Sequence, residues 1–185
     1  MNATAAPVGT KKDKRSNAMR RPYLHMIVIN IGVGESGARL QKAQKVLKIL
    51  TGSEGTQTLS RETNREFGIR ERQAIGCKVT LRGSPAREFL KRALWVKSNR
   101  ITPYSFDAEG NFHFGIPDYT GFEGIRYEPD IGIFGLNVVG VLRRKGARVR
   151  YRAVMAKKPP KSHRVSKPEA IRFLREEFSA EVVQV

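Results

Sequence analysis

Gly32, Gly34 and Gly37 stand at the spacing G-x-G-x-x-G, directly after an apolar run and directly before an amphipathic one. In that context three glycines form the fingerprint of a dinucleotide fold, where a tight turn brings backbone N–H groups up to a pyrophosphate. Hydride transfer on NAD is therefore the first chemistry to weigh, and three of its requirements are missing. The segment after the next helix, Thr56 to Thr63 (TQTLSRET), is polar, whereas a buried parallel strand reads as nearly continuous apolar residues. No carboxylate stands where the ribose hydroxyls need one, since Glu54 belongs to a glycine turn and Glu62 sits mid-segment. At 185 residues the chain is also short for a cofactor domain plus a catalytic domain. The glycines then read as a strand-to-helix turn whose N–H groups are free to hold a phosphate of another origin.

Other chemistry finds less support. His25, His113 and His163 occupy unrelated contexts, and with one cysteine the chain has neither a disulfide nor a cysteine-based zinc site. Cys77 alternates with polar neighbours and points toward the core, where a thiol packs as a small hydrophobe. Asp107 and Glu109 share an exposed turn that gives no reason for a raised pKa. The expectation is a protein with no catalytic residues, no metal and no cofactor.

What does call for a partner is charge. The formal net charge is +18 and the isoelectric point near 10.6. Self-repulsion of that size weakens a compact fold until a polyanion answers it, and nucleic acid answers it best because each phosphate contact also releases counterions. An acidic membrane surface is the rival, and it needs a basic amphipathic helix or an apolar anchor. No stretch is long and apolar enough to span a bilayer, and Met1 to Arg21 has basic residues where a secretory signal has its apolar centre. A soluble, cytoplasmic protein is expected.

The elements that position these groups are read from periodicity. Residues 1–18 form a flexible basic arm, and residues 19–183 a single domain. Tyr23–Ile31 is a buried strand, apolar on both faces. Ala38–Leu50 is a helix with Leu40, Ala43, Leu47 and Leu50 on one side, closed by Gly52. Arg39, Lys42, Lys45 and Lys48 wind beside that stripe, as a solvated face or, given the overall charge, equally as contacts to phosphate. Thr56–Phe67 is an extended polar edge, and Phe67–Ile75 a connecting loop. In Cys77–Arg82 the side chains of Lys78, Thr80 and Arg82 point away from the core. Ser84 caps a helix with Pro85 in its first turn. Residues 104–135 carry six acidic residues against Arg126 alone, and enclose a short strand, NFHFGI. Ile131–Leu142 is then expected to pair with Ala147–Val154 across the turn RRKG, placing Arg148, Arg150 and Arg152 on one face. The stretch Arg143 to Lys167 holds eleven basic residues and no acidic one, including a basic loop over 155–166. Ser166–Glu169 (SKPE) opens a last helix, 167–178, with a capping box. The sum is a two-layer α+β fold, with a mixed but largely antiparallel sheet, helices on one face and the other face open for RNA.

Several short motifs then align in order. NIGVGES (Asn30–Ser36), LTG (Leu50–Gly52), FGIR (Phe67–Arg70) and KVTLRG (Lys78–Gly83) are followed by GNFHFGI, IGIFG and HRVSKPEA from His163. From about Asn17 almost to the C-terminus they resemble the fifth universal large-subunit ribosomal protein family. The tail SHRVSKPEAIRFLREEF resembles its archaeal and eukaryotic branch. The resemblance implies a non-enzymatic ribosomal constituent that binds 5S rRNA in the central protuberance, with large-subunit rRNA and neighbouring proteins as further partners. It implies 5S rRNA contacts from Asn30, Gly34, Ser36, Ser53, Arg61, Lys78, Thr80 and Arg82, with Ser53 standing where the family usually has glutamine. It implies that Phe67, Gly68, Ile69, Arg70 and Arg72 reach toward P-site tRNA, and that another surface bridges to a protein of the small-subunit head. The acidic region from Tyr104 to Asp130 suits such protein contact. The aromatic signatures of base-stacking RNA modules are absent, so recognition by shape and backbone is expected. A dinucleotide enzyme and a non-ribosomal RNA-binding protein are the alternatives.

Overall fold

The computed structural model describes residues 17–183. The flexible arm expected over residues 1–18 lies outside the described residues except for Asn17 and Ala18. Strand β1 (Pro22–Gly32) is the spine of a five-stranded sheet with β2 (Thr56–Leu59), β3 (Ala74–Leu81), β5 (Phe112–Ile116) and β6 (Leu136–Arg144). Their order is β2-β3-β1-β6-β5, and every neighbouring pair is antiparallel. The only parallel pairing among the described residues joins the short β4 (Arg100–Ile101) to β7 (Glu181–Val182) in a separate two-stranded sheet.

Alternation decides which way each strand faces. In β1 the residues Ile27, Ile29 and Ile31 are buried, while Val28 and Asn30 between them are half-buried. A bulge between Leu24 and Met26 resets the phase, so Leu24 is buried although it stands three residues before Ile27. The expected burial of both faces of this strand is therefore corrected to one. Cys77, Val79 and Leu81 of β3, Phe112, Phe114 and Ile116 of β5, and Leu136, Val138 and Leu142 of β6 complete the inner face.

Helices cover that face. Helix α1 (Ala38–Thr51) packs its stripe of Leu40, Ala43, Val46, Leu47 and Leu50 on β3. It ends where Gly52, at φ 68°, donates its N–H to the Lys48 carbonyl, a left-handed conformation that costs a side-chain-bearing residue most. Helices α2 (Ser84–Val96) and α3 (Lys167–Phe178) pack on β1. Fully buried Phe89, Phe112, Tyr119 and Phe122 fill the space between the layers, each aromatic or aliphatic side chain of this kind contributing about 1.5–3 kcal/mol. Phe112 lies across its strand partner Gly140 so closely that a Cβ there would fall 2.1 Å from the ring. The fold is α+β, with helices on one side of the sheet.

Three local expectations are corrected. Gly83, not Ser84, is the N-cap of α2; Ser84 lies inside the helix and its hydroxyl donates to Glu88 instead. The polar edge strand is short, ending at Leu59, where a register shift breaks its pairing. The hairpin expected between Ile131–Leu142 and Ala147–Val154 does not form. Both edges of β6 are occupied, by β1 on one side and β5 on the other, so the chain after the turn has no strand edge to join. Ala147–Arg150 is a 3₁₀ turn and the rest is irregular.

The basic segment 145–165 is held at both ends. Arg144, only 8% exposed, donates from Nη2 to both carboxylate oxygens of Glu169 at 2.6 and 2.7 Å and from Nη1 to the Ser162 carbonyl at 3.2 Å. Glu169 in turn accepts the Ser166 N–H and completes the predicted capping box of α3. Burial pushes the Glu169 carboxyl up, but the Ser166 N–H and the Arg144 guanidinium outweigh it and hold it below the usual glutamate value.

Candidate nucleic-acid interface

Among the described residues, no α-helix covers the outer face of the sheet; only the basic segment after β6 folds over its Met26–Val141 end. Side chains directly opposite one another on paired strands share a face, so the registers define rows across it. Thr56, Lys78, Asn30, Asn137 and Gly115 form one row from edge to edge. Thr80, Val28, Val139 and His113 form the next, followed by Met26 with Val141 and by Tyr23 with Arg143. At about 4.8 Å between strands, five strands make a row about 19 Å wide. None of the residues in these rows is acidic. Lys78 and Thr80 are exposed and Asn30 half-buried, so charge, hydroxyl and amide stand together at the centre.

Arg82 follows the end of β3 and borders this surface. It and Arg143 both act on His25, whose imidazole sits in the β1 bulge beside Tyr23, with Nδ1 3.5 Å from the tyrosine Oη. Burial first, and then these two guanidiniums, lower the His25 pKa from its ordinary value. At neutral pH it is an uncharged hydrogen-bonding group between cations.

The remaining predicted residues lie around one half of the platform. The N–H groups of Val33 and Gly34 both bond the Ile75 carbonyl, at 3.0 and 2.8 Å. The glycine turn thus spends those two donors inside the protein, contrary to the expectation that they remain free for a phosphate. β1 runs antiparallel to both its neighbours, so the parallel β-α-β unit that a dinucleotide site needs is absent from it. Ser36 accepts a hydrogen bond from Gln73 at 3.1 Å, which ties this turn to the loop before β3. Ser53 lies in the turn between α1 and β2, three residues before Thr56, and Arg61 is exposed just past β2.

Residues 60–73 form an ordered projecting hairpin, more structured than the connecting loop expected from sequence. Asn64 and Ile69 exchange both backbone hydrogen bonds, at 2.8 and 2.9 Å, and the Asn64 side chain accepts the N–H groups of Glu66 and Phe67. Gln73 accepts the Arg70 N–H, Thr63 accepts that of Glu71, and the Ser60 carbonyl accepts that of Arg72. Phe67 is 74% exposed near the tip, with Gly68 beside it, Ile69 half-buried behind, and Arg70 and Arg72 exposed. An aromatic-tipped, cationic projection held by its own hydrogen bonds loses less freedom on meeting a partner than an open loop would.

Sequence reasoning missed Thr56, Asn137 and His113 as members of the platform. The alternation of LNVVGVLRR marked Asn137 as outward, but only the long-range register brings it beside Asn30. The basic residues of α1, by contrast, form a solvated face: Arg39 pairs with Glu35 and Lys48 with Glu54, and the helix lies under the opposite side of the sheet. Among the described residues no helix is long and apolar enough to cross a membrane. Cys77 is buried and its thiol is pushed up to about 11 by burial, which leaves it inert.

Comparison with known proteins agrees with the order of motifs along this scaffold. A family model described as "Ribosomal protein L5" matches residues 17–70, and the model for the C-terminus of the same ribosomal family matches residues 74–173. The chain is similar to the large ribosomal subunit protein uL5 of Thermoplasma acidophilum, 50% identical over 169 residues that cover 91% of this chain and 99% of the relative. Its counterpart in Picrophilus torridus is 45% identical over 168 residues, covering 90% and 96%, and that of Methanoregula boonei 43% over 164, covering 89% and 99%. These relatives are archaeal, in keeping with the resemblance of the C-terminal tail to the archaeal and eukaryotic branch. The chain belongs to the ribosomal protein L5 family, the uL5 proteins of the large ribosomal subunit.

Proposed function

We propose that this ribosomal protein binds 5S rRNA through the open face of its sheet and helps to build the central protuberance. One observation carries the reading: a surface about five strands wide that no α-helix covers, its paired rows without an acidic residue, with Lys78, Thr80 and Asn30 in adjacent rows at its centre. A-form RNA offers a wide, shallow minor groove lined by 2′-hydroxyls and flanked by phosphates. A broad, nearly flat platform suits that surface, with Lys78 and Arg82 for phosphates and Thr80 and Asn30 for hydroxyls. Ser53, Arg61, Gly34 and Ser36 extend the contact toward the β2 side of the sheet. Residues 19–183 serve as one RNA-binding unit.

The projecting hairpin reaches P-site tRNA through Phe67, Gly68, Ile69, Arg70 and Arg72. The acidic region takes protein contacts, including a bridge to the small-subunit head, because Tyr104 and Tyr127 are exposed within it, as are Glu123, Glu128 and Asp130. Like charges would keep this surface off RNA. The working place is the ribosome in the cytoplasm, with large-subunit rRNA as a second nucleic-acid partner. Competitive gel shift against 5S rRNA and an unrelated structured RNA of equal length tests the assignment. A clear preference for 5S rRNA is expected, and equal affinity would place the protein among non-ribosomal RNA binders.

A further inference from the structure

At the β1–β6 end of the open face, the basic segment folds back and leaves a cleft of about 230 Å³. Its apolar lining comes from Met26 and Val141 of the sheet and from Ala147, Pro159 and Val165 of the segment. Tyr151 forms a wall and is 59% exposed. Arg143 lies against its ring, with the guanidinium carbon 4.8 Å from the centroid, and also donates to the phenol oxygen at 2.7 Å. Arg150 approaches the same ring at 5.7 Å.

The chemistry of this cleft selects its occupant. Two guanidiniums already lie against the ring, so a cationic ligand would be repelled. Among the described residues neither Arg143 nor Arg150 has a carboxylate partner, and nor do Arg148 and Arg152 beside them. The acidic residue at the mouth, Glu109, is engaged by Arg164. A planar, neutral ring with an anionic linkage attached meets all these conditions. The space falls below the roughly 300–1,000 Å³ of a site for a drug-sized ligand, so it accepts one ring system and not two.

From this geometry we infer that the cleft takes a single unstacked nucleobase of ribosomal RNA, laid on Tyr151 and the Arg143 guanidinium, with its flanking phosphates on Arg148, Arg150 and Arg152. The inference rests on the open face being an RNA platform, since Tyr23–Arg143 and Met26–Val141 continue its rows into the cleft. It also adds base recognition to a surface whose sequence suggested shape and backbone readout only. The strand expected over Ala147–Val154 would have presented its arginines in a flat row; the folded segment instead brings Arg150, together with Arg143 of β6, onto an aromatic ring.

The test compares the full chain with Tyr151→Ala and Tyr151→Phe on two probes, a 5S rRNA transcript and protein-free large-subunit rRNA. Thermal unfolding checks that the variants fold, as they should with an exposed side chain. Loss of one stacked base corresponds to an affinity loss of about 5- to 150-fold for Tyr151→Ala, with Tyr151→Phe close to wild type. Loss on the 5S probe alone assigns the base to 5S rRNA, and loss on the larger RNA alone assigns it there. Ultraviolet crosslinking should join the Tyr151 peptide to one nucleotide of the same RNA. If the wild-type chain binds both probes and Tyr151→Ala binds them equally well, the base pocket is wrong while the platform stands. If the wild-type chain prefers neither probe to unrelated RNA, the platform itself fails.

Discussion

Replacing Lys78 and Arg82 by alanine should change the salt dependence of 5S rRNA binding, whereas replacing Lys42 and Lys45 should not. Both double variants remove the same formal charge, so only location distinguishes them. Among the cations without a carboxylate partner in the described residues, six are assigned to phosphates: Arg61, Lys78 and Arg82 of the platform and Arg148, Arg150 and Arg152 of the adjoining segment. Each phosphate contact contributes about 0.7–0.9 to the slope of log affinity against log salt, so six give a slope of about −4 to −5. Between 50 and 200 mM salt, wild-type affinity should then fall by about 300- to 2,000-fold. Lys78→Ala with Arg82→Ala makes the slope shallower by about 1.4–1.8. Lys42 and Lys45 project from α1, beneath the other side of the sheet, and their removal should leave the slope as it is. Filter binding or fluorescence anisotropy across a salt series reads both. Equal shallowing in the two variants would mean that RNA responds to net charge and not to this face, and the platform reasoning would be refuted.

Gly140→Ala drives a Cβ into the Phe112 ring and should destabilise the fold by about 1–3 kcal/mol; pairing it with Phe112→Leu should restore part of the melting temperature. Glu169→Gln removes the counter-ion of buried Arg144 and should cost about 1.5–3 kcal/mol at pH 7. Because the folded-state carboxyl is lowered, its contribution is present above about pH 4.5 and is lost as pH falls through the folded value. Unfolding midpoints between pH 7 and 3 should therefore fall less steeply in this variant than in wild type, and parallel curves would count against the pair. Arg70→Glu, on the projecting hairpin, should leave 5S rRNA binding and melting temperature intact while lowering P-site tRNA occupancy of assembled ribosomes. Loss of 5S rRNA binding in that variant would assign the hairpin to the other RNA.

Local periodicity carried much of the fold. The apolar stripe and terminal glycine of α1, the alternation of β3 and the capping box of α3 each state their own boundaries, because the forces that set them act within one turn or one strand. The basic segment after β6 misled for a related reason. Arg148, Arg150 and Arg152 alternate with Val149 and Tyr151 as a strand would, but a strand needs a free edge, and only the full sheet order reveals that β1 and β5 have taken both edges of β6. The platform was half legible. Lys78 and Thr80 follow from alternation in a single segment, whereas Asn137, Thr56 and His113 join them only through pairings between distant parts of the chain. The glycine turn shows the opposite limit: its spacing matches a nucleotide fingerprint, and the antiparallel neighbours of β1 decide against that chemistry.

Lysine footprinting of the 5S rRNA complex tests the central assignment most directly, by acetylating accessible amines in the free and bound protein and quantifying each peptide. Lys78 should be strongly shielded in the complex, while Lys42, Lys45 and Lys91 on the helical side stay as reactive as in the free chain. Shielding of those helical lysines with Lys78 left open would place the RNA on the wrong side of the sheet for everything argued above.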